Sequence, residues 1–127
     1  GILIGIRMAI ARRKLDRANQ VYKWLVHEFP TPYPTKLNLF RSDPNAVSDL
    51  YGWVELVDRV LVINIDIRYP RHVLIETLIH EMAHACTWAN KRMEPHVEEH
   101  SDEWGLRYAK IYRAFFDGSG KVDSGEY

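Results

Sequence analysis

Residues 70–88 constrain this chain most. Pro70 opens a run in which Leu74, Ile75, Leu78, Ile79, Met82, Ala85 and Cys86 recur at spacings of three and four. That periodicity predicts a helix with a broad apolar stripe turned to a core, and Pro70 suits its first helical position, where the missing N–H costs nothing. His80 and His84 fall outside the stripe. Four residues apart, they sit one above the other on one helical face and can aim two imidazole nitrogens at a single point. Glu81 lies on the neighbouring flank, where a carboxylate is poorly placed as a ligand but can reach a water beside a metal as general base. His-Glu-x-x-His therefore predicts metal-assisted hydrolysis. The pentapeptide is short enough to arise by chance, so a third ligand downstream and a strand beside the helix are needed as context.

A catalytic zinc takes three protein ligands and keeps a fourth position open. The segment after the helix offers Glu94, His96, Glu98, Glu99, His100, Asp102 and Glu103. The metzincin pattern would need Gly at position 87 and His at position 90; Thr87 and Asn90 exclude it. Glu99 or Glu103 would fit a thermolysin-like spacing. His100 is the preferred donor, because Ser101-Asp102-Glu103 reads as the cap and acidic first turn of a helix through Leu106, Tyr108, Ile111, Tyr112 and Phe115. A residue just before such a start has a fixed backbone. His96 is the rival.

Residues Leu74-Ile75-Glu76-Thr77-Leu78-Ile79-His80-Glu81-Met82-Ala83-His84-Ala85, followed by His100-Ser101-Asp102-Glu103-Trp104, resemble the SprT-like metallopeptidase family. Its pattern is HExxH and then His-Gly-x-x-Phe/Trp opening another helix; the family includes a protease that degrades proteins crosslinked to DNA. The resemblance is strongest over residues 59–105. It implies Zn2+ held by His80, His84 and His100, with Glu81 as the catalytic carboxylate, a protein or peptide substrate, and DNA as a partner that the charge does not indicate. The implied fold is α+β and zincin-like: an N-terminal helix, a small mostly antiparallel sheet, the metal helix and a C-terminal helix. Ser101 departs from the family's Gly, which matters only if the backbone there needs φ > 0.

At 127 residues the chain is long enough for one domain with a single core, and 46% of it is apolar. Zero formal net charge gives no global basic field for nucleic acid and no membrane-surface signature. Cys86 is the sole cysteine, so there is no disulfide framework and no four-cysteine zinc module; an intracellular, cytoplasmic setting is expected, and a minimal core of this kind suits a compact genome such as a phage's. Two residues past His84, Cys86 should pack in the core. Residues 1–7 are apolar but too short to span a bilayer and are read as upstream or appended, leaving a domain over 8–117 and a flexible tail over 118–127.

Helical spacing runs from Leu15 to Phe29 and is ended by Pro30, Pro32 and Pro34. Its lead-in, Arg12-Arg13-Lys14 with Arg17, could touch phosphates but reads first as a solvated helix start. Residues 37–40 form a short strand. Residues 51–56 and 59–67 read as a hairpin around Val57-Asp58, the second strand placing Leu61, Ile63, Ile65 and Ile67 on one apolar face.

Three function classes follow. The first is a zinc peptidase. The second is a zinc-stabilised binding module closed by a fourth donor such as Glu99, His96 or Asp102, against which Glu81 argues because a structural site has no use for it. The third is a zinc hydrolase acting on a non-peptide bond. Tyr108 and Tyr112 are candidate oxyanion donors whose simpler reading is core or rim, and Asp102 is a candidate for orienting a ligand imidazole.

Overall fold

The structure, a computed structural model, describes residues 2–43, 45, 51–88 and 101–118. In chain order the elements are α1 (Ile2–Glu28), β1 (Thr35–Phe40), β2 (Gly52–Val57), β3 (Val60–Asp66), α2 (Arg71–Cys86) and α3 (Asp102–Asp117). The architecture is α+β. The strands lie in the order β1-β3-β2, with β1 parallel and β2 antiparallel to β3. The sheet is thus mixed, which corrects the mostly antiparallel expectation. Strand direction is not written in local alternation; what the pattern does encode is that β3, the most apolar strand, takes the centre and buries Leu61, Ile63 and Ile65 almost completely.

The β2–β3 hairpin turns on Asp58 and Arg59, one residue later than predicted. Both have positive φ, 49° and 65°, and Val57 pairs with Val60 across them. This is the primed two-residue turn whose twist matches the flanking strands. On the sheet's outer face, Asn38 donates to Asn64 at 2.8 Å and Asn64 donates to Glu55 at 3.3 Å, so one polar chain ties all three strands in register.

On the inner face, β3 meets Leu74, Ile75, Leu78, Ile79 and Met82 of α2, with Val21 and Leu25 of α1 and Ile111 and Phe115 of α3 completing one core. Each such side chain contributes about 1.5–3 kcal/mol on burial. Trp24 of α1 meets Phe115 of α3 edge-on at 5.7 Å, which locks the outer helices together over α2.

Two boundaries differ from the sequence reading. Helix α1 begins at Ile2 rather than Leu15, because periodicity registers only the part that packs: Ala18, Val21 and Leu25 are buried, whereas Ile2, Ile6 and Ile10 are at least half exposed. Pro70 is the cap of α2 rather than its first residue, its carbonyl accepting from the Leu74 N–H at 3.0 Å. The basic lead-in of α1 is partly absorbed by the fold. Lys14 donates to the Tyr69 carbonyl at 3.2 Å, and Arg17 is buried beside Gln20. Among the described residues no helix is long and apolar enough to cross a membrane. The tail expected from 118 lies, beyond Gly118, outside the described residues.

Candidate metal centre

Helix α2 is buried on most of its circumference over its last two turns, because α3 covers the flank that the sheet leaves open. Glu81, Met82, Ala83, His84 and Ala85 are all buried in succession. The His80 and His84 Nε2 atoms stand 3.2 Å apart, their rings crossed at 67°. Two corners of a tetrahedron with metal–nitrogen bonds of about 2.0–2.1 Å lie about 3.3 Å apart, so the pair is already spaced for one ion. One ligand-type atom from each of His80, Glu81 and His84 lies within 4.8 Å of the others. Glu81 and His84 are each only 6% exposed, and a carboxylate withdrawn from water beside two imidazoles is costly unless positive charge compensates it. The residues therefore fit a divalent cation.

Helix α3 starts at the edge of this group. Ser101 caps it, accepting from the Trp104 N–H at 3.3 Å with φ −64°, so a side chain is unstrained where the family pattern has Gly. Asp102 and Glu103 occupy the first turn, the favourable end of the helix dipole for acids. The first turn delivers Trp104 onto the imidazoles: its ring stacks on His84 at 5.1 Å and meets His80 edge-on at 4.9 Å. Tyr108 stacks on Trp104 at 5.0 Å, and Tyr112 and Phe116 continue the series one turn at a time.

A cleft of about 470 Å³ opens beside the group, bounded by Tyr51 and Gly52 at the start of β2, Glu76, His80 and Glu81 of α2, and Tyr108 of α3. Burial, then the nearby charge of Glu76, pushes the Tyr108 phenol above its ordinary pKa, so it keeps its proton at neutral pH. Gly52 lets β2 lie close to both β3 and α2: a Cβ there would lie 2.5 Å from the Asn64 carbonyl oxygen of β3 and 3.0 Å from Thr77 Cγ2 of α2. Among the described residues no strand pairs with the outer edge of β2.

Of the candidate site residues, His80, Glu81 and His84 come together. His100, with its rivals His96 and Glu99, lies outside the described residues. Asp102 and Glu103 are exposed and do not join the donor group. Cys86 is half-buried; burial pushes its thiol up to about 11, against a smaller opposing effect of Arg107, and it too stands apart from the donor group.

A family model, SprT-like, matches residues 55–123, more than half of the chain. The chain belongs to the SprT-like family. No curated protein and no solved structure matches it. The match takes in the second half of β2, β3, α2 and α3, which carry the donor group, the stacked aromatics and the cleft lining except Tyr51 and Gly52. Beside the donor group the SprT-like chain holds Trp104 and Tyr108, which the sequence reading names as the end of the matched pattern and as a candidate oxyanion donor, and Gly52, which it does not single out. The first two had a signal, since Trp104, Tyr108, Tyr112 and Phe116 recur every four residues and must share a slowly drifting face. Gly52 had none, because its role depends on which strand approaches the helix.

Proposed function

We propose that this SprT-like chain is a zinc-dependent peptidase of zincin-like architecture. The observation that carries the reading is the 3.2 Å spacing of the His80 and His84 Nε2 atoms with Glu81 beside them at the floor of an open cleft. His80 and His84 would hold zinc, with His100 as the proposed third ligand. The residue after His100 caps the helix that brings Trp104 to the two imidazoles, which supports that choice over His96. Bound there, zinc would supply Lewis acidity, lowering the pKa of a water toward about 7 and polarising the scissile carbonyl.

Glu81 takes the proton from the attacking water and returns it to the leaving amine. Trp104 holds both imidazoles in orientation. The outer edge of β2 offers main-chain groups on which an extended peptide can add as a further strand, which favours a polypeptide substrate. Glu76 and Glu81 line the cleft and no Lys or Arg does among the described residues, so an anionic phosphodiester is a poorer fit. The open cleft likewise favours a catalytic over a closed structural site.

The test is metal content and proteolysis together. Protein purified without added metal should carry about one zinc, and it should cut an unfolded protein such as casein. Glu81→Gln should retain the zinc and lose about 10²–10⁴ in kcat. Full activity in that variant, or a protein that refuses zinc, overturns the reading.

A further inference from the structure

We propose that Glu76, Tyr51 and Tyr108 form a subsite for a cationic side chain, Lys or Arg, of the bound polypeptide; the inference rests on the peptidase reading. Glu76 lies one helical turn before His80 on the cleft face of α2, about 6 Å along the axis. An extended chain advances about 3.3 Å per residue, so the side chain concerned belongs within about two residues of the scissile bond.

Three observations point to a cation. First, Glu76 is exposed in the cleft and, among the described residues, forms no ion pair or hydrogen bond. Second, the described lining carries two carboxylates and no Lys or Arg, and Glu76 is close enough to Tyr108 for its charge to act on the phenol. Third, the aromatic walls are held from behind. Tyr51 packs edge-on against Tyr69 at 4.4 Å, and Tyr69 accepts a hydrogen bond from Arg68 at 2.6 Å. Tyr108 is stacked on Trp104 and backed by the tilted ring of Tyr112. A carboxylate beside the exposed Tyr51 ring attracts an ammonium or guanidinium through charge and through that ring together, while Tyr108, its ring covered by its neighbours, closes the subsite as a fixed wall. An apolar side chain would desolvate Glu76 without replacing its water, and an acidic one would be repelled.

Binding decides this without depending on turnover. The probes are fluorescein-labelled peptides in which one position at a time carries Lys, norleucine or Glu, titrated against zinc-loaded protein in a Glu81→Gln background. Lys should bind about tenfold tighter than norleucine at one position. Adding Glu76→Gln, a comparable helix former at an exposed site, should abolish that preference, and Glu76→Lys should turn it toward Glu. Equal binding of all three peptides, including no binding of any, overturns the proposal. So does a Lys preference that survives Glu76→Gln. Peptides that bind with the Lys preference but are never cut by the protein with Glu81 intact would sink the peptidase reading and leave the subsite standing.

Discussion

The indole of Trp104 lies on the imidazole of His84, ring centroids 5.1 Å apart and planes 26° from parallel, while the same indole meets His80 edge-on. One side chain from α3 therefore restrains both donors on α2. It couples the start of α3, fixed by the Ser101 cap, to the orientation of the imidazoles.

That coupling predicts a metal phenotype for a residue that is not a ligand. Trp104→Ala should weaken zinc binding by about 10–100-fold, the range seen when groups that orient ligands are removed. Trp104→Phe keeps a ring against His84 and should lose only a few-fold. Competition with a chromogenic chelator measures both, and an alanine variant that holds zinc as tightly as the parent would remove the positioning role.

Metal removal should also register in stability. Zinc that binds only the folded chain adds about 2.7 kcal/mol at one hundred times its Kd and makes Tm depend on zinc concentration. A chelator should lower Tm, zinc should restore it, and His84→Ala should abolish the response. Melting that is indifferent to zinc in the parent protein would show that folding and the donor group are not linked.

Gly52 is fixed by close approach. In Gly52→Ala the new methyl would meet the Asn64 carbonyl oxygen at 2.5 Å, a backbone atom that cannot swing aside as a side chain can. We expect a loss of about 1–3 kcal/mol in urea denaturation, the usual cost of overpacking. Because the tightest contact is backbone, Thr77→Ser should not rescue it. Full rescue would mean that the Thr77 methyl sets the limit.

How much of this was legible depends on what each residue's neighbours are. The apolar stripe was readable because one face meets one core: Leu74, Ile75, Leu78, Ile79, Met82 and Ala85 are buried, and its last member, Cys86, expected in the core, is only half-buried against it. His84, read as off the stripe, is also buried, as is Thr87, since α3 and the sheet enclose α2 from both flanks; that enclosure is a tertiary fact with no local period. The parallel pairing of β1 with β3 was hidden for the same reason: Thr35 meets Leu61 across a separation that no turn motif spans. The Ser101 cap was readable because capping is chemistry within one turn.

Asp66 gives the last prediction and its sign. The residue is 1% exposed at the end of β3, where it accepts from the Arg68 N–H at 2.9 Å and the Ser42 N–H at 3.3 Å. Burial alone would raise its pKa; the hydrogen bonding from Ser42 and the Arg68 N–H, with the Arg68 guanidinium, outweighs burial and holds the carboxyl below its ordinary value. A depressed folded-state pKa contributes stability that is fully present above the unfolded-state value, about 3.9, and is lost as pH falls through the folded-state value. Asp66→Asn should therefore destabilise the protein at pH 7, by about 1–3 kcal/mol for charge-assisted hydrogen bonds. The gap between parent and variant should close as pH drops below about 4. Because Asp66 anchors the turn that leads into α2, the variant should also loosen the entry to the metal helix. Urea denaturation of both proteins at pH 7 and pH 3 measures this, and a gap that stays constant across that window would show that the charge on Asp66 plays no part.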